Sequence, residues 1–151
     1  MGYTGLLASQ RAAVVGIIDP DAYAAGTYKT VWVNMEYFET LMFIVQAGDL
    51  GSSATLDARV EQATDSSGTS AKNVTGKSIT QLTQAGTDSN KQAIINLVAD
   101  EMDVTNSFTH ARLYMTVGTA TSDAGAIVLG LDPHYGPAND NDLSSVDEIV
   151  A

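Results

Sequence analysis

Two stretches of this chain alternate apolar and polar residues with a period of two, a rhythm that fits a β-strand and not a helix. In Thr55–Glu61, Leu56, Ala58 and Val60 alternate with Thr55, Asp57, Arg59 and Glu61. In Thr109–Val117, Ala111, Leu113, Met115 and Val117 alternate with His110, Arg112, Tyr114 and Thr116. Successive side chains of a strand point to opposite faces, so each stretch has one inward and one outward set. Turn-rich segments separate the strands: Asp65–Ser70, Gly86–Asn90 and Gly118–Asp123. Short strands at this spacing predict a sandwich or a barrel.

Other segments are apolar without clean alternation. Val31, Trp32 and Val33 favour a strand, and Thr40–Ala47 (TLMFIVQA) has strand length and reads as buried on both faces. Ala124–Leu131 is a further run, bounded by Asp123 and by Asp132-Pro133. Asn90–Asp103 admits two assignments. Ser89 with Gln92 forms a capping box that would open a helix; Ile94, Ile95, Leu97 and Val98 also fit a strand buried on both faces. The β neighbours and the marginal helix length favour the strand. Segments that are apolar on both sides need cover on both, which a neighbouring subunit supplies in part.

Three regions follow. Residues 1–29 form an N-terminal arm or an extra strand, with Ala12–Ile18 as an apolar run broken by Asp19-Pro20-Asp21. Residues 30–137 form the β-sandwich domain. Residues 138–151 form an acidic tail, disordered or ordering only against a neighbour. A docking arm offers the apolar side chains Leu6, Leu7, Val14, Val15, Ile17 and Ile18 as candidate interface residues. Trp32 reads first as a core aromatic and second as an interface anchor.

Charge and composition narrow the function. With 7 basic and 18 acidic residues the formal net charge is −11, which repels phosphate and argues against a nucleic-acid partner. The 151 residues include no cysteine, which excludes disulfides, thiolate metal sites and cysteine nucleophiles. No segment reaches the roughly 18 apolar residues of a membrane span. The N-terminus lacks the basic start and apolar region of a secretion signal, so an intracellular product is expected.

Motifs for chemistry break down on inspection. Gly76-Lys77-Ser78 resembles the end of a phosphate-binding loop, but the required earlier glycine is Ala71. Asp140-Asn141-Asp142 resembles a calcium loop, but its sixth position is Ser145 and its twelfth is Ala151. His110 and His134 belong to no HExxH motif, and neither GxSxG nor GxGxxG is present; both read as surface or interface histidines. Asn73-Val74-Thr75 fits a glycosylation pattern that has no meaning without export. No enzymatic activity and no cofactor or metal is expected.

From Tyr37 to Pro137 the chain resembles a family of small tailed-bacteriophage proteins, the capsid cement or decoration proteins. The resemblance lies in the order of its strands: YFETLMFIVQAG (Tyr37–Gly48), ATLDARVEQATD (Ala54–Asp65), a Ser/Gly hairpin, ITQLT (Ile79–Thr83), HARLYMTVGTAT (His110–Thr121) and a closing hydrophobic strand. It implies an all-β fold, a jelly-roll-like antiparallel β-sandwich with short flexible terminal segments. It also implies a homotrimer on the outer surface of the virion capsid. The major capsid protein is then the partner, and the host bacterial cytoplasm the place of synthesis. A neck, tail or fibre-associated phage protein is the alternative. A carbohydrate-binding module is the second alternative, for which Tyr23, Tyr28 and Tyr135 are too scattered in sequence.

Overall fold

The computed structural model describes residues 5–151. Met1–Thr4, the start of the N-terminal segment, lie outside the described residues. One helical turn, Ala8–Arg11, leads into ten strands: β1 (Ala12–Tyr23), β2 (Gly26–Lys29), β3 (Val33–Asn34), β4 (Phe38–Ala47), β5 (Thr55–Ala63), β6 (Lys72–Ser78), β7 (Leu82–Thr83), β8 (Gln92–Val98), β9 (His110–Gly118) and β10 (Ser122–Pro133). They form two antiparallel sheets, one ordered β1-β10-β4-β8 and the other β2-β9-β5-β6, with β3 on β9 and β7 on β5. Setting aside the short β3 and β7, eight strands divide four and four, and the chain crosses between the sheets as a jelly roll requires. The fold is therefore an all-β sandwich, as the alternating strands predict, with the jelly-roll order that the resemblance implies.

The core lies between the inner faces. Leu41, Phe43 and Val45 of β4, Leu97 of β8 and Val128 of β10 meet Leu56 and Val60 of β5 and Leu113, Met115 and Val117 of β9. Each of these side chains is at most 1 % exposed. The alternation read in the sequence is realised: β9 buries every second residue along its whole length, and β5 does so over Thr55–Val60. Two glycines of β10 exist for close approach. A side chain at Gly130 would come within 2.8 Å of the Phe38 ring, and one at Gly125 within 3.1 Å of Pro20 Cα.

The open alternatives of the sequence resolve here. Gln92–Val98 is a strand, and a single 3₁₀ turn, Ala99–Glu101, follows it. It is an edge strand, and its burial is one-sided: Ile95 and Leu97 are buried while Ile94 is 57 % exposed. The two-sided burial expected of Thr40–Ala47 is corrected in the same way. Leu41, Phe43, Val45 and Ala47 are buried, whereas Thr40, Met42 and Ile44 are half-buried and Gln46 is exposed.

Ala12–Ile18 belongs to β1, which pairs with β10 from Ala12↔Leu131 to Tyr23↔Ser122. It is an integral strand and not an arm. The acidic tail divides. Residues 138–143 order against the chain's own β1: Leu143 N–H donates to Val14 O at 2.8 Å, and Val14 N–H donates to Asp142 Oδ1 at 2.7 Å. Ala138 is fully buried. The tail thus covers the free edge of the sheet, the position where an unpaired strand invites unwanted pairing.

Candidate functional site: the open face of the four-stranded sheet

The strand register determines what the outer face of β1-β10-β4-β8 presents. Ile17 of β1 pairs with Ile127 of β10, Ile127 with Ile44 of β4, and Ile44 with Ile94 of β8. Four isoleucines thus cross the whole sheet in one row. The next row is Val14, Leu129, Met42 and Asn96. Ile94 and Ile127 are 57 % and 45 % exposed, and Val14, Ile17, Met42, Ile44 and Leu129 are half-buried. Directly opposed β-branched residues pack well across strands. That packing stabilises the sheet but leaves the outer surface of the row in water.

A groove of about 610 Å³ continues this surface. It is lined by Ile44, Gln46, Gly125 and Ile127, with Pro20, Asp21 and Ala22 of β1 as its wall. The wall exists because β1 shifts register between Ile18 and Asp21. Pro20 then lies over Gly125, where no side chain stands in the way.

The outer face of the other sheet has a different chemistry. The Tyr114 ring lies under the Arg59 guanidinium at 3.8 Å and near Lys29 Nζ at 4.9 Å. The half-buried Trp32 ring stacks with the Arg112 guanidinium at 4.1 Å, and Gly68 of the β5–β6 turn packs against its indole nitrogen. Glu61, 8 % exposed, lies between Arg59 at 3.4 Å and Arg112 at 2.9 Å. Its charge is matched where it is buried, the condition for keeping a carboxylate there.

The candidate interface residues scatter. Val15 and Ile18 are core residues, 6 % exposed each, and have no side-chain surface to offer a partner. This corrects their selection and follows from β1 being a sandwich strand. Leu6 and Leu7 are exposed beside the first helical turn. Trp32 lies in the connection between β2 and β3, where its half-buried ring stacks on Arg112 of the opposite sheet; it is not a core aromatic, and of the strand expected at Val31, Trp32 and Val33 only Val33 is in one. Only Val14 and Ile17 come together on one face. Ile44, Ile94, Ile127, Met42 and Leu129 were missed as site residues. Their signal was present in the runs that are apolar on both sides, together with the inference that a neighbour could cover the second side.

The broken motifs have ordinary structural work. Lys77 lies in β6 and pairs with Glu101 at 2.8 Å. Asp142 holds the β1 edge, and the Asn73 carbonyl and side chain receive hydrogen bonds from Gln62 and Arg59. His110 is kept below its ordinary pKa by burial, against the opposing pull of Asp65, and its Nδ1 lies 2.8 Å from Thr109 Oγ1. Tyr23 and Tyr28, apart in sequence, meet with ring centroids 4.2 Å apart, and Tyr135 sits edge-on to Tyr37 at 6.4 Å. Among the described residues no group of three or more His, Asp or Glu is placed to hold a metal ion, and no helix is long and apolar enough to cross a membrane.

No protein-family model and no curated protein matches the chain. Among solved structures it is similar to a chain of infectious bursal disease virus, Gx strain, with 16% identity and a TM-score of 0.42, over 92% of this chain and 40% of that one. It is also similar to a chain of the naturally occurring empty particles of cowpea mosaic virus, with 9% identity and a TM-score of 0.42, over 85% and 86% of the two chains. A third likeness is to a protein of the Bacillus endospore appendages, which form disulfide-linked pili, with 13% identity and a TM-score of 0.38, over 87% of this chain and all of that one. The jelly-roll assignment rests on the strand order and not on these likenesses.

Proposed function

We propose that this chain is a structural virion protein that binds the outer surface of a phage capsid and stabilises the shell. The open isoleucine row is the observation that carries the reading. The stripe of Ile17, Ile127, Ile44 and Ile94 stabilises the sheet by cross-strand packing, but its outer surface stays in water, as the apolar patch of a contact surface does. Burying the exposed half of Ile94 or Ile127 against a partner contributes on the order of 1 kcal/mol, about half of what a fully exposed side chain would contribute.

The size of the face says what kind of binding it supports. Four strands about 4.8 Å apart and two rows about 7 Å apart give a patch on the order of 300 Å². A stable binary interface buries roughly 800 Å² per partner. One such face is therefore a weak contact, effective when repeated. A homotrimer on a lattice of identical shell subunits provides that repetition, because linked contacts act at high effective concentration. Anything that binds the assembled shell in preference to its separated parts stabilises it by mass action.

The test uses purified protein and undecorated shells of the phage that encodes it. Saturable co-sedimentation, with a rise in the temperature at which the shells fall apart, is the expected result. Absence of binding to shells, with binding to purified tails instead, moves the function to the neck, tail or fibre.

A further inference from the structure

The two faces of the sandwich differ in charge as well as in polarity. The strands of the four-stranded sheet carry Asp19, Asp21, Glu39, Asp123 and Asp132 and no lysine or arginine. Five of the chain's seven basic residues, Lys29, Arg59, Lys72, Lys77 and Arg112, lie in strands of the other sheet, against Asp57 and Glu61. The remaining two flank the four-stranded sheet: Arg11 directly precedes β1, and Lys91 directly precedes β8, where Asp88 holds it at 2.8 Å.

The register places the acids at both ends of the open face and none in its middle. Asp123 pairs with Ala22, next to Asp21, at one end of the sheet. Asp132 accepts a hydrogen bond from Thr40, next to Glu39, at the other. The isoleucine row lies between these ends. A second copy laid face to face, in either direction, would set carboxylates against carboxylates. Like charges facing each other across an interface select against that partner.

We propose that the four-stranded face is the docking side of the molecule, and that it fits an apolar patch rimmed by lysine and arginine on a different protein. The cation-bearing six-stranded face then points away from the contact. This deepens the capsid reading and rests on it for the identity of the partner, the shell protein. The chemistry of the match follows from the face alone.

Ile94→Asp and Ile127→Asp test the face. Ile94 is 57 % and Ile127 45 % exposed, and neither belongs to the core between the sheets, so the variants are expected to keep the fold, which circular dichroism verifies. Each is expected to bind undecorated shells at least tenfold more weakly than the parent. Lys29→Glu, on the other sheet, is expected to bind as the parent does. The double reversal Asp21→Lys with Asp123→Lys is expected to weaken binding several-fold and flatten its salt dependence. A second arm needs no shell. Two nine-residue peptides alternate isoleucine with lysine or with glutamate, and each is titrated into labelled protein while backbone amides are followed by NMR. The lysine peptide is expected to shift Ile17, Ile44, Ile94 and Ile127, and the glutamate peptide is not. If parent and isoleucine variants bind shells equally, the face is misassigned while the capsid reading stands. If the parent binds no shells but the lysine peptide still maps to the isoleucine row, the capsid reading fails and the face stands. Equal shifts from both peptides, or shifts elsewhere, overturn the charge match. Self-association abolished by Ile94→Asp overturns it in favour of a second copy.

Discussion

His134 has an acceptor against each ring nitrogen. Nδ1 lies 2.7 Å from the Glu36 carbonyl oxygen, and Nε2 lies 3.2 Å from the Glu39 carboxylate. A neutral imidazole can donate from only one nitrogen, so the charged form alone satisfies both contacts. The hydrogen bond to Glu36, then that to Glu39, raise its pKa above the ordinary 6.5. Because the folded value is the higher one, the stabilisation is complete below about pH 6.5 and is lost as pH rises through the folded pKa. Unfolding by urea at pH 5.5 and 8.5 is expected to show a larger loss for His134→Gln at pH 5.5; equal losses would contradict this. Gly130 leaves no space for a side chain. Gly130→Ala places a methyl 2.8 Å from the ring of Phe38, a core residue with no room to retreat. It is expected to lower stability by about 1–3 kcal/mol, the usual cost of overpacking, as read from the urea midpoint.

At the scale of elements, two joints hold the sandwich beyond its core. Asp142 and Leu143 close the edge of β1, so Asp142→Ala is expected to cost about 1 kcal/mol and to speed hydrogen exchange at Val14. Unchanged exchange there would contradict the edge-covering role. The second joint clamps the sheets together: Lys77 and Lys72 of β6 pair with Glu101 and Asp103 in the connection after β8. Hydrogen bonds from these lysines, first among the causes, hold both carboxyls below their ordinary range. Their contribution is present above the usual carboxylate pKa and lost as pH falls through the lowered values. The loss of thermal stability between pH 6 and pH 3 is therefore expected to shrink in Lys72→Met with Lys77→Met. How far the fold could be read in advance depends on what each element shows of itself. β5 and β9 each have one buried and one wet face, and alternation reports that directly. β4 and β8 are apolar on both faces, and a sequence cannot distinguish a face covered by the same chain from one awaiting a partner. β1 was ambiguous because its bulges, between Val14 and Gly16 and between Ile18 and Asp21, break the period of two. The isoleucines show in the sequence as members of apolar runs, but their alignment in one row does not, because the four come from strands that only the jelly-roll register brings side by side.

The whole molecule is a sandwich with two dissimilar outer faces, one a cationic and aromatic lattice of paired side chains, the other an apolar stripe with acidic ends. A freely diffusing, unpartnered protein has no need for that difference. A protein lying on a surface does, with one side down and the other in solvent. The most direct test is a cryo-electron microscopy reconstruction of shells decorated with this protein, at a resolution that tells the two sheets apart. Density for the four-stranded sheet is expected against the shell, with Ile44, Ile94 and Ile127 at the contact and Tyr114 and Arg59 facing outward. Decoration through the six-stranded sheet, or ordered copies with the isoleucine row open to solvent, would contradict it.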